Sequence, residues 1–303
     1  MSIGDQAMLD NYKKHVEERA KENIPPLPLD VEQTSELINL LKSEHDESEL
    51  LLFLLKERVP AGVDQSAYVK AAFLSDITSG KTSSPYIDKK KAVQILGTML
   101  GGYNIEPLIN CLKIDELGEE AANALSETLL IFDSFNEIFE LSKTNKYAKK
   151  VIDSWAAGEW FTKKLDIPEQ IKLTVFKVPG EINTDDLSPA TDAWSRPDIP
   201  LHALAMFKMP REGLEKPLET IEKLKEKGNP LVFVGDVVGT GSSRKSATNS
   251  VLWHMGDEIP CIPNKKEGGF CFGGKIAPIF FNTLEDSGAF PIEMDVTKME
   301  MGQ

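Results

Sequence analysis

The pattern of hydrophobic and polar positions divides the chain into two parts. Over residues 30–141 apolar residues recur at helical spacing, and short turns rich in glycine or proline separate the runs. After Pro168 the spacing changes to period two, which predicts a strand over residues 173–178. We therefore expect an all-α domain over residues 1–160, followed by an α/β domain over residues 168–303.

The short helices of the first part are compatible with two architectures, a compact bundle and a solenoid of stacked helix pairs. Between residues 92 and 112 one helical run ends at Gly101-Gly102-Tyr103-Asn104, and the next begins at once. Such an abrupt antiparallel reversal favours the solenoid. The repeat period is irregular, so the pattern alone leaves the bundle open.

The second part is organised around a strand, a glycine-rich turn and a helix over residues 231–253. The turn, Gly239-Thr240-Gly241-Ser242-Ser243-Arg244, brings hydroxyls and a guanidinium to the start of the helix. A helix N-terminus favours anions, and a guanidinium matches a carboxylate, so we predict a carboxylate site here. In the alternative reading Ser242 only caps the helix and Arg244 is solvated.

Further apolar runs predict strands at residues 276–281 and 290–296, after a polar loop and two short helices. Few helices among these strands indicate a layered α/β or β/β/α domain and not a doubly wound one. The last residues, 298–303, resemble a turn that leads into another strand. We therefore expect the second domain to be truncated at its C-terminal end.

Composition and charge narrow the function classes. The 303 residues carry a formal net charge of −14, which disfavours nonspecific binding to nucleic acid or to an acidic membrane. The chain has three cysteines and no CxxC pair, which argues against a disulfide framework, a closed zinc site and a cysteine-ligated cluster within this chain. No signal peptide or membrane-spanning run is present, so we expect a cytoplasmic protein.

Three motifs together resemble the bacterial aconitase B family. They are Asn183-Thr184-Asp185-Asp186-Leu187-Ser188-Pro189, Ala193-Trp194-Ser195-Arg196-Pro197-Asp198 and the glycine-rich turn at residues 239–244. Residues 273–283 and 101–104 are also similar to that family, and the resemblance covers essentially the whole chain. The motifs are specific in combination and weak when taken separately.

The resemblance implies an N-terminal HEAT-like helical-repeat domain followed by an aconitase swivel domain. It implies an aconitate hydratase, a lyase that interconverts citrate and isocitrate through cis-aconitate in the tricarboxylic acid cycle. A [4Fe–4S] cluster serves the complete enzyme, and its ligands lie in later domains. We therefore expect this chain to ligate no cluster and to be inactive by itself.

The resemblance also assigns roles within this sequence. Ser242 matches the serine whose alkoxide takes a proton, and Asp185 matches a supporting catalytic aspartate. Arg196, Ser243 and Arg244 match substrate-binding positions. Because loops at one edge of a layered sheet converge, we expect Arg196 and Arg244 to lie close together.

The expected partners are the tricarboxylate substrate and the iron–sulfur domains that this chain lacks. By resemblance alone they include a second copy, held through the helical domain, and RNA; a membrane is not expected. A competing hypothesis is a non-catalytic interaction or regulatory module, in which the helical array docks protein or RNA. Whether methylated tricarboxylates are accepted is left open by the sequence.

Overall fold

The computed structural model describes residues 3–162 and 168–303. It divides the chain into two compact units. One unit contains the described residues up to 18, residues 26–162 and residues 260–263, and the other contains residues 19–25, 168–259 and 264–303. Up to residue 162 the described residues form no strand, whereas the second unit contains a sheet. A helical domain and an α/β domain are therefore both present.

The helical unit consists of short α-helices that begin and end at recognisable signals. Their bounds are α1 Ile3–Ala20, α2 Val31–Leu41, α3 Ser48–Phe53 (continued by a π-helical turn, Leu54–Arg58), α4 Gln65–Ser79, α5 Lys89–Gly97, α6 Ile105–Leu112, α7 Gly118–Glu127, α8 Ser134–Ser142, α9 Lys146–Ala157 and α10 Glu159–Thr162. Asp30 and Gln33 form a reciprocal capping box at the start of α2, an arrangement that stabilises a helix by about 1 kcal/mol. Gly80 and Gly158 end α4 and α9 in the left-handed conformation.

The helices pack against their neighbours in the chain and also against partners two positions away. Contacts join α2 to α4, α5 to α7, α7 to α9 and α6 to α8. Two close approaches lie in these pairs, because an added Cβ at Gly97 would lie 2.9 Å from Ala124 and one at Gly118 would lie 2.2 Å from the Tyr147 ring. One continuous core of leucine, isoleucine, valine and alanine side chains runs through this unit.

The second unit alternates strands and helices. Its elements are β1 Thr174–Asn183, α11 Thr184–Leu187, a 3-10 turn Ala190–Ser195, α12 Ile199–Ala203, α13 Pro217–Lys225, β2 Leu231–Thr240, α14 Arg244–Met255, β3 Asp257–Glu258, β4 Lys266–Glu267, β5 Phe270–Ile276, α15 Pro278–Asp286 and β6 Phe290–Glu293. Strands β1, β2, β5 and β6 form a parallel sheet in that order. Strands β3 and β4 form a separate antiparallel pair.

Both faces of the sheet are covered by hydrophobic side chains, and the two cores differ in size. On one face Phe176, Phe233 and Cys271 lie in the main core with side chains of α13, α14 and α15. On the other face a small cluster of Val175, Val232, Val234 and Val296 forms a second core. Alternate residues of β1 and β2 thus enter different cores, as the strand period requires.

The carboxyl ends of β1 and β2 lie side by side, and this register positions the candidate site. Asn183, the last residue of β1, pairs with Thr240, the last residue of β2. The segment after each strand therefore leaves the sheet at the same edge, with α11 beside the glycine-rich turn.

One predicted strand is wrong. Residues 276–281 were predicted as a strand, but β5 ends at Ile276 and α15 begins at Pro278. Proline is favoured in the first turn of a helix, and Phe280 and Leu284, four residues apart, are the buried side chains of α15. The apolar run is therefore the end of a strand and the start of a helix.

The last residues lie against the outer edge of β1. Val175 donates its backbone N–H to Gln303 (3.1 Å) and accepts from Gly302 (2.8 Å). Among the described residues no helix is both long and apolar enough to cross a membrane.

Candidate functional site

The glycine-rich turn between β2 and α14 is closely packed against neighbouring helices. Gly239 has φ +82°, and a Cβ there would lie 2.2 Å from the Phe280 ring. Gly241 has φ +109°, and a Cβ there would lie 2.5 Å from Thr184 Oγ1. Both positions therefore require glycine, for backbone conformation and for space. The turn packs between α11 and α15.

Ser243 joins the turn to two other segments. Its backbone N–H donates to Thr184 Oγ1 at 3.1 Å, at the start of α11. Its side-chain Oγ accepts from Arg196 Nη2 at 3.1 Å. Three segments that are distant in sequence therefore meet at one residue. We call Asp185, Arg196, Ser242, Ser243 and Arg244 the Ser243 cluster.

The hypothesis that Ser242 merely caps the helix is wrong. The N-cap of α14 is Ser243, and its side chain makes no capping hydrogen bond. Ser242 lies one residue earlier and is exposed. Arg244, half-buried, donates from Nη1 to the Gly241 carbonyl at 3.0 Å. Asp185 is exposed and directly follows Thr184.

The Arg196 side chain contacts Ser243, the residue directly before Arg244 in the sequence. Besides its bond to Ser243, the Arg196 guanidinium donates from Nη2 to the Ser188 carbonyl at 3.4 Å. Its Nε is buried and has no hydrogen-bond partner among the described residues. Within the same part of the chain neither Arg196 nor Arg244 forms an ion pair with a carboxylate, in contrast to Arg211, which lies 3.1 Å from Asp186. The cluster thus offers guanidinium groups that no carboxylate of the described residues neutralises.

A buried histidine lies next to this cluster, and the sequence analysis missed it. His202 is 2 % exposed; its Nδ1 lies 2.8 Å from Ser195 Oγ, and its Nε2 lies 2.8 Å from Ser188 Oγ. Ser188 Oγ in turn bonds Ser246 Oγ of α14 at 2.7 Å. We call these four residues the His202 network. The sequence carries one signal for it, since Ser243, Ser246 and Ser250 recur at helical spacing.

Burial and the neighbouring Arg196 charge lower the pKa of His202 below its ordinary value, in that order of importance, although the Asp192 carbonyl and carboxylate oppose them. The imidazole is therefore neutral at neutral pH. A second group near the cluster, Asp192, has its pKa lowered chiefly by a hydrogen bond from Lys208. Asp192 is thus committed to Lys208, at 2.8 Å, and not to Arg196.

The cysteines do not fit a [4Fe–4S] cluster. Thiolate ligands must be ionised, yet burial raises the pKa of Cys111 and raises that of Cys271 to about 12. Cys111 lies in the core of the helical unit and Cys271 in that of the sheet unit. Across residues 3–162 and 168–303 no three His, Cys, Asp or Glu side chains converge on a metal-sized space.

Two family models match the chain in succession. The model described as the aconitate B N-terminal domain matches residues 11–161, and the model described as the aconitate hydratase 2 N-terminus matches residues 173–303. The matched segments correspond closely to the all-α and the sheet-containing parts.

Curated relatives are similar over 97% of the chain. Aconitate hydratase B of Pseudomonas aeruginosa is 60% identical, that of Escherichia coli 59% and that of Helicobacter pylori 51%. The chain spans only about a third of the length of these relatives, 35%, 35% and 34% respectively. Consecutive family matches and this level of identity show that the chain belongs to the aconitate hydratase B family.

Proposed function

We propose that this chain supplies part of the active site of an aconitate hydratase B, which isomerises citrate and isocitrate through cis-aconitate. The observation that carries the proposal is the meeting of Arg196 with Ser243 beside Arg244, at 3.1 Å. A tricarboxylate needs cationic and hydrogen-bonding groups from several segments, and the Ser243 cluster gathers such groups at one edge of the sheet.

In this proposal Arg196 and Arg244 bind substrate carboxylates, and Ser243 adds a hydroxyl contact. Both guanidinium groups lack an internal carboxylate among the described residues, so a bound carboxylate would meet an unneutralised charge. A guanidinium fork binds a carboxylate bidentately, whereas an ammonium group does not.

Ser242 is the proposed base. A serine is a weak base unless its anion is stabilised, and Ser242 lies just before the N-terminus of α14, a helix of 12 residues. Ser242 is exposed and is not the N-cap, so its hydroxyl stays available for the substrate. Asp185 lies in the first turn of α11, and the family resemblance assigns it a supporting role in catalysis. The complete enzyme's [4Fe–4S] cluster would lie outside this chain, since the described cysteines do not fit it.

The finer architecture is also a proposal. The packing of helices two positions apart supports a HEAT-like array over residues 1–160. The parallel sheet with helices supports an aconitase swivel domain over residues 168–303. We infer a cytoplasmic location, and by family resemblance a homodimer and RNA as further partners.

The experiment measures citrate binding to the 303-residue chain by calorimetry. We expect weak binding, and we expect Arg244→Lys to weaken it by roughly 10- to 150-fold, since one charge-assisted hydrogen bond contributes roughly 1.5–3 kcal/mol. Ser242→Ala should leave binding unchanged, because the base acts only in the reaction. Lys245→Gln is the matched control, since Lys245 is exposed and adjacent.

A chimaera in which this chain replaces the matching segment of the Escherichia coli relative tests turnover. Arg244→Lys and Ser242→Ala should both reduce kcat/KM per folded molecule, whereas the 303-residue chain alone should show no turnover. An equal loss of binding in Arg244→Lys and Lys245→Gln would refute a specific carboxylate site, as would full activity of the Ser242→Ala chimaera.

A further inference from the structure

The His202 network forms an unbranched series of hydrogen bonds that ends at two backbone carbonyls. At one end Ser195 Oγ donates to the Asp192 carbonyl at 2.7 Å and also contacts His202 Nδ1 at 2.8 Å. At the other end His202 Nε2 contacts Ser188 Oγ at 2.8 Å. The series crosses from the segment that carries Arg196 to the segment that follows Asp185.

The series continues into α14. Ser188 Oγ lies 2.7 Å from Ser246 Oγ, and Ser246 Oγ lies 3.2 Å from the Ser243 carbonyl. The imidazole and its serines therefore connect the three segments that contribute residues to the Ser243 cluster. Ser188, Ser195 and His202 are each at most 4 % exposed, so water does not compete for the two bonds of the imidazole.

The number of hydrogens fixes the state of the imidazole. Each serine hydroxyl supplies one hydrogen, and both terminal carbonyls can only accept, so every contact is satisfied only if both ring nitrogens carry hydrogen. Burial and the Arg196 charge lower the pKa of His202, against the opposing Asp192 carbonyl and carboxylate. The ring is therefore neutral, and one contact must lack its hydrogen.

The distances show which contact that is. With hydrogen on Nδ1, the ring donates to Ser195 and Ser188 donates to Nε2. The Ser188–Ser246 bond, in which Ser188 is otherwise the donor, then takes its hydrogen from Ser246, and only the 3.2 Å contact of Ser246 with the Ser243 carbonyl is given up. With hydrogen on Nε2, either Ser195 turns to the ring and gives up its 2.7 Å bond to the Asp192 carbonyl, or Ser195 keeps that bond and its 2.8 Å contact with Nδ1 has no hydrogen. Shorter bonds are stronger, so the Nδ1–H tautomer is favoured.

In this tautomer His202 supports the position of Arg196 through two contacts. Ser195, which accepts from Nδ1, is the residue directly before Arg196. Ser188, which donates to Nε2, presents the carbonyl that accepts from Arg196 Nη2 at 3.4 Å. One ring therefore fixes both the backbone next to Arg196 and one of its acceptors.

We propose that neutral His202, as the Nδ1–H tautomer, is a positioning residue that holds the Arg196 guanidinium against Ser243 for a substrate carboxylate. The role in substrate binding rests on the proposed function. The positioning itself is a property of this chain and is measured without any ligand.

The first measurement uses nuclear magnetic resonance on the 303-residue chain. With four histidines in the sequence, selective ¹⁵N-histidine labelling and His202→Asn assign the ring, and its two nitrogen shifts report the tautomer. Selective ¹⁵N-arginine labelling, assigned with Arg196→Lys, follows the buried Arg196 Nε–H. We expect an Nδ1–H ring and a slowly exchanging Nε–H; an Nε2–H ring would overturn the tautomer and the proposal with it.

The variants are His202→Leu, which removes both polar contacts, and His202→Asn, which keeps an N–H near the place of Nδ1. His254→Asn is the matched control, since His254 is 7 % exposed, belongs to the same unit and bonds the Ala203 carbonyl instead. We expect exchange of the Arg196 Nε–H to accelerate strongly in His202→Leu, less in His202→Asn and not in His254→Asn. Equal acceleration in His202→Leu and His254→Asn, or none in either, would overturn the proposal.

Citrate affinity then separates this proposal from the proposed function. His202→Leu should raise the Kd for citrate by about tenfold per folded molecule, while His254→Asn should not. If Arg196→Ala leaves citrate binding unchanged, the proposed function fails even where Arg196 Nε–H exchange still shows positioning. If Arg196→Ala abolishes binding but His202→Leu leaves both binding and exchange unchanged, His202 has no positioning role.

Discussion

Replacing Gly239 by alanine tests how tightly the turn before Ser243 is packed. Gly239 has φ +82°, a conformation that costs an L-residue about 1–2 kcal/mol. The new methyl group would also lie 2.2 Å from ring atoms of Phe280, a side chain with 0 % exposure. Phe280 belongs to the main core of the sheet unit, and close packing in such a core opposes displacement of its ring.

Overpacking of this kind costs about 1–3 kcal/mol in addition to the backbone term. We therefore expect Gly239→Ala to lower the free energy of unfolding by about 2–5 kcal/mol. With an m-value of about 2 kcal/mol/M, the urea midpoint should fall by roughly 1–2.5 M.

Gly228→Ala is the matched control, because Gly228 lies in the same unit and has φ +77°. No atom of the described chain lies within 4 Å of its added Cβ. It should lose only the backbone term, about 1–2 kcal/mol. Urea unfolding followed by tryptophan fluorescence gives the midpoints, and hydrogen exchange of β2 peptides assigns the loss to the sheet unit. Equal midpoints for the two variants would refute the reasoning that Phe280 excludes a side chain at Gly239.

Two further predictions concern titratable groups of the sheet unit. The pKa of Asp236 lies below its ordinary value of 3.8, chiefly because Lys177 donates a hydrogen bond to its carboxylate and secondly because the Gly180 N–H does so. The carboxylate therefore contributes stability above pH 3.8, and this contribution is lost as the pH falls through the lower pKa of the folded state. Asp236→Asn should therefore lower the urea midpoint at neutral pH, and the difference from the parent chain should shrink below roughly pH 4; a difference that grows on acidification would contradict this. Burial raises the pKa of Cys271 to about 12, so its thiol is not ionised at pH 8 in the native chain. Iodoacetamide at pH 8 should therefore label the partly exposed Cys261 before Cys271. In urea, mass spectrometry should find both cysteines labelled. Early labelling of Cys271 in folded protein would show that its core opens.

The elements that the sequence predicted well are those whose pattern is local. The predicted strand at residues 231–234 and the helix after the glycine-rich turn correspond to β2 and α14, because a buried apolar run and glycine punctuation are properties of the segment itself. The predicted end of the strand is wrong, since β2 continues through Gly235 to Thr240. The helical runs of the first unit were likewise visible from their period. The strand β5 was missed because Gly273 and Gly274 resemble a turn. A Cβ at Gly274 would lie 2.7 Å from the Asp236 carbonyl, so glycine there serves close approach between strands.

The candidate site was predictable in its parts and only partly in its connections. The Gly-Ser-Ser-Arg turn pointed to an anion site because helix start, hydroxyls and guanidinium are adjacent in sequence. Contact of Arg196 with Ser243 depends on the register of β1 with β2, which the sequence does not encode locally. The His202 network was missed because its members come from three segments and share no spacing. The roles of the Ser243 cluster in catalysis stay predictions.

The all-parallel sheet has a consequence for how the chain acquires its structure. Parallel strands cannot be joined by a hairpin, so each pairing must wait for a crossover to close, and the entropy of closure grows with the length of chain between the strands. Phe270 finds Phe290 across one short helix, whereas Thr174 must find Leu231 across α11, α12 and α13. We therefore expect β5 and β6 to associate early and β1 to join last, more slowly than the locally connected helices of the first unit assemble. The edge that carries Asp185 and Arg196 would then be completed only in the final folding step, after the turn at Ser243 has already formed.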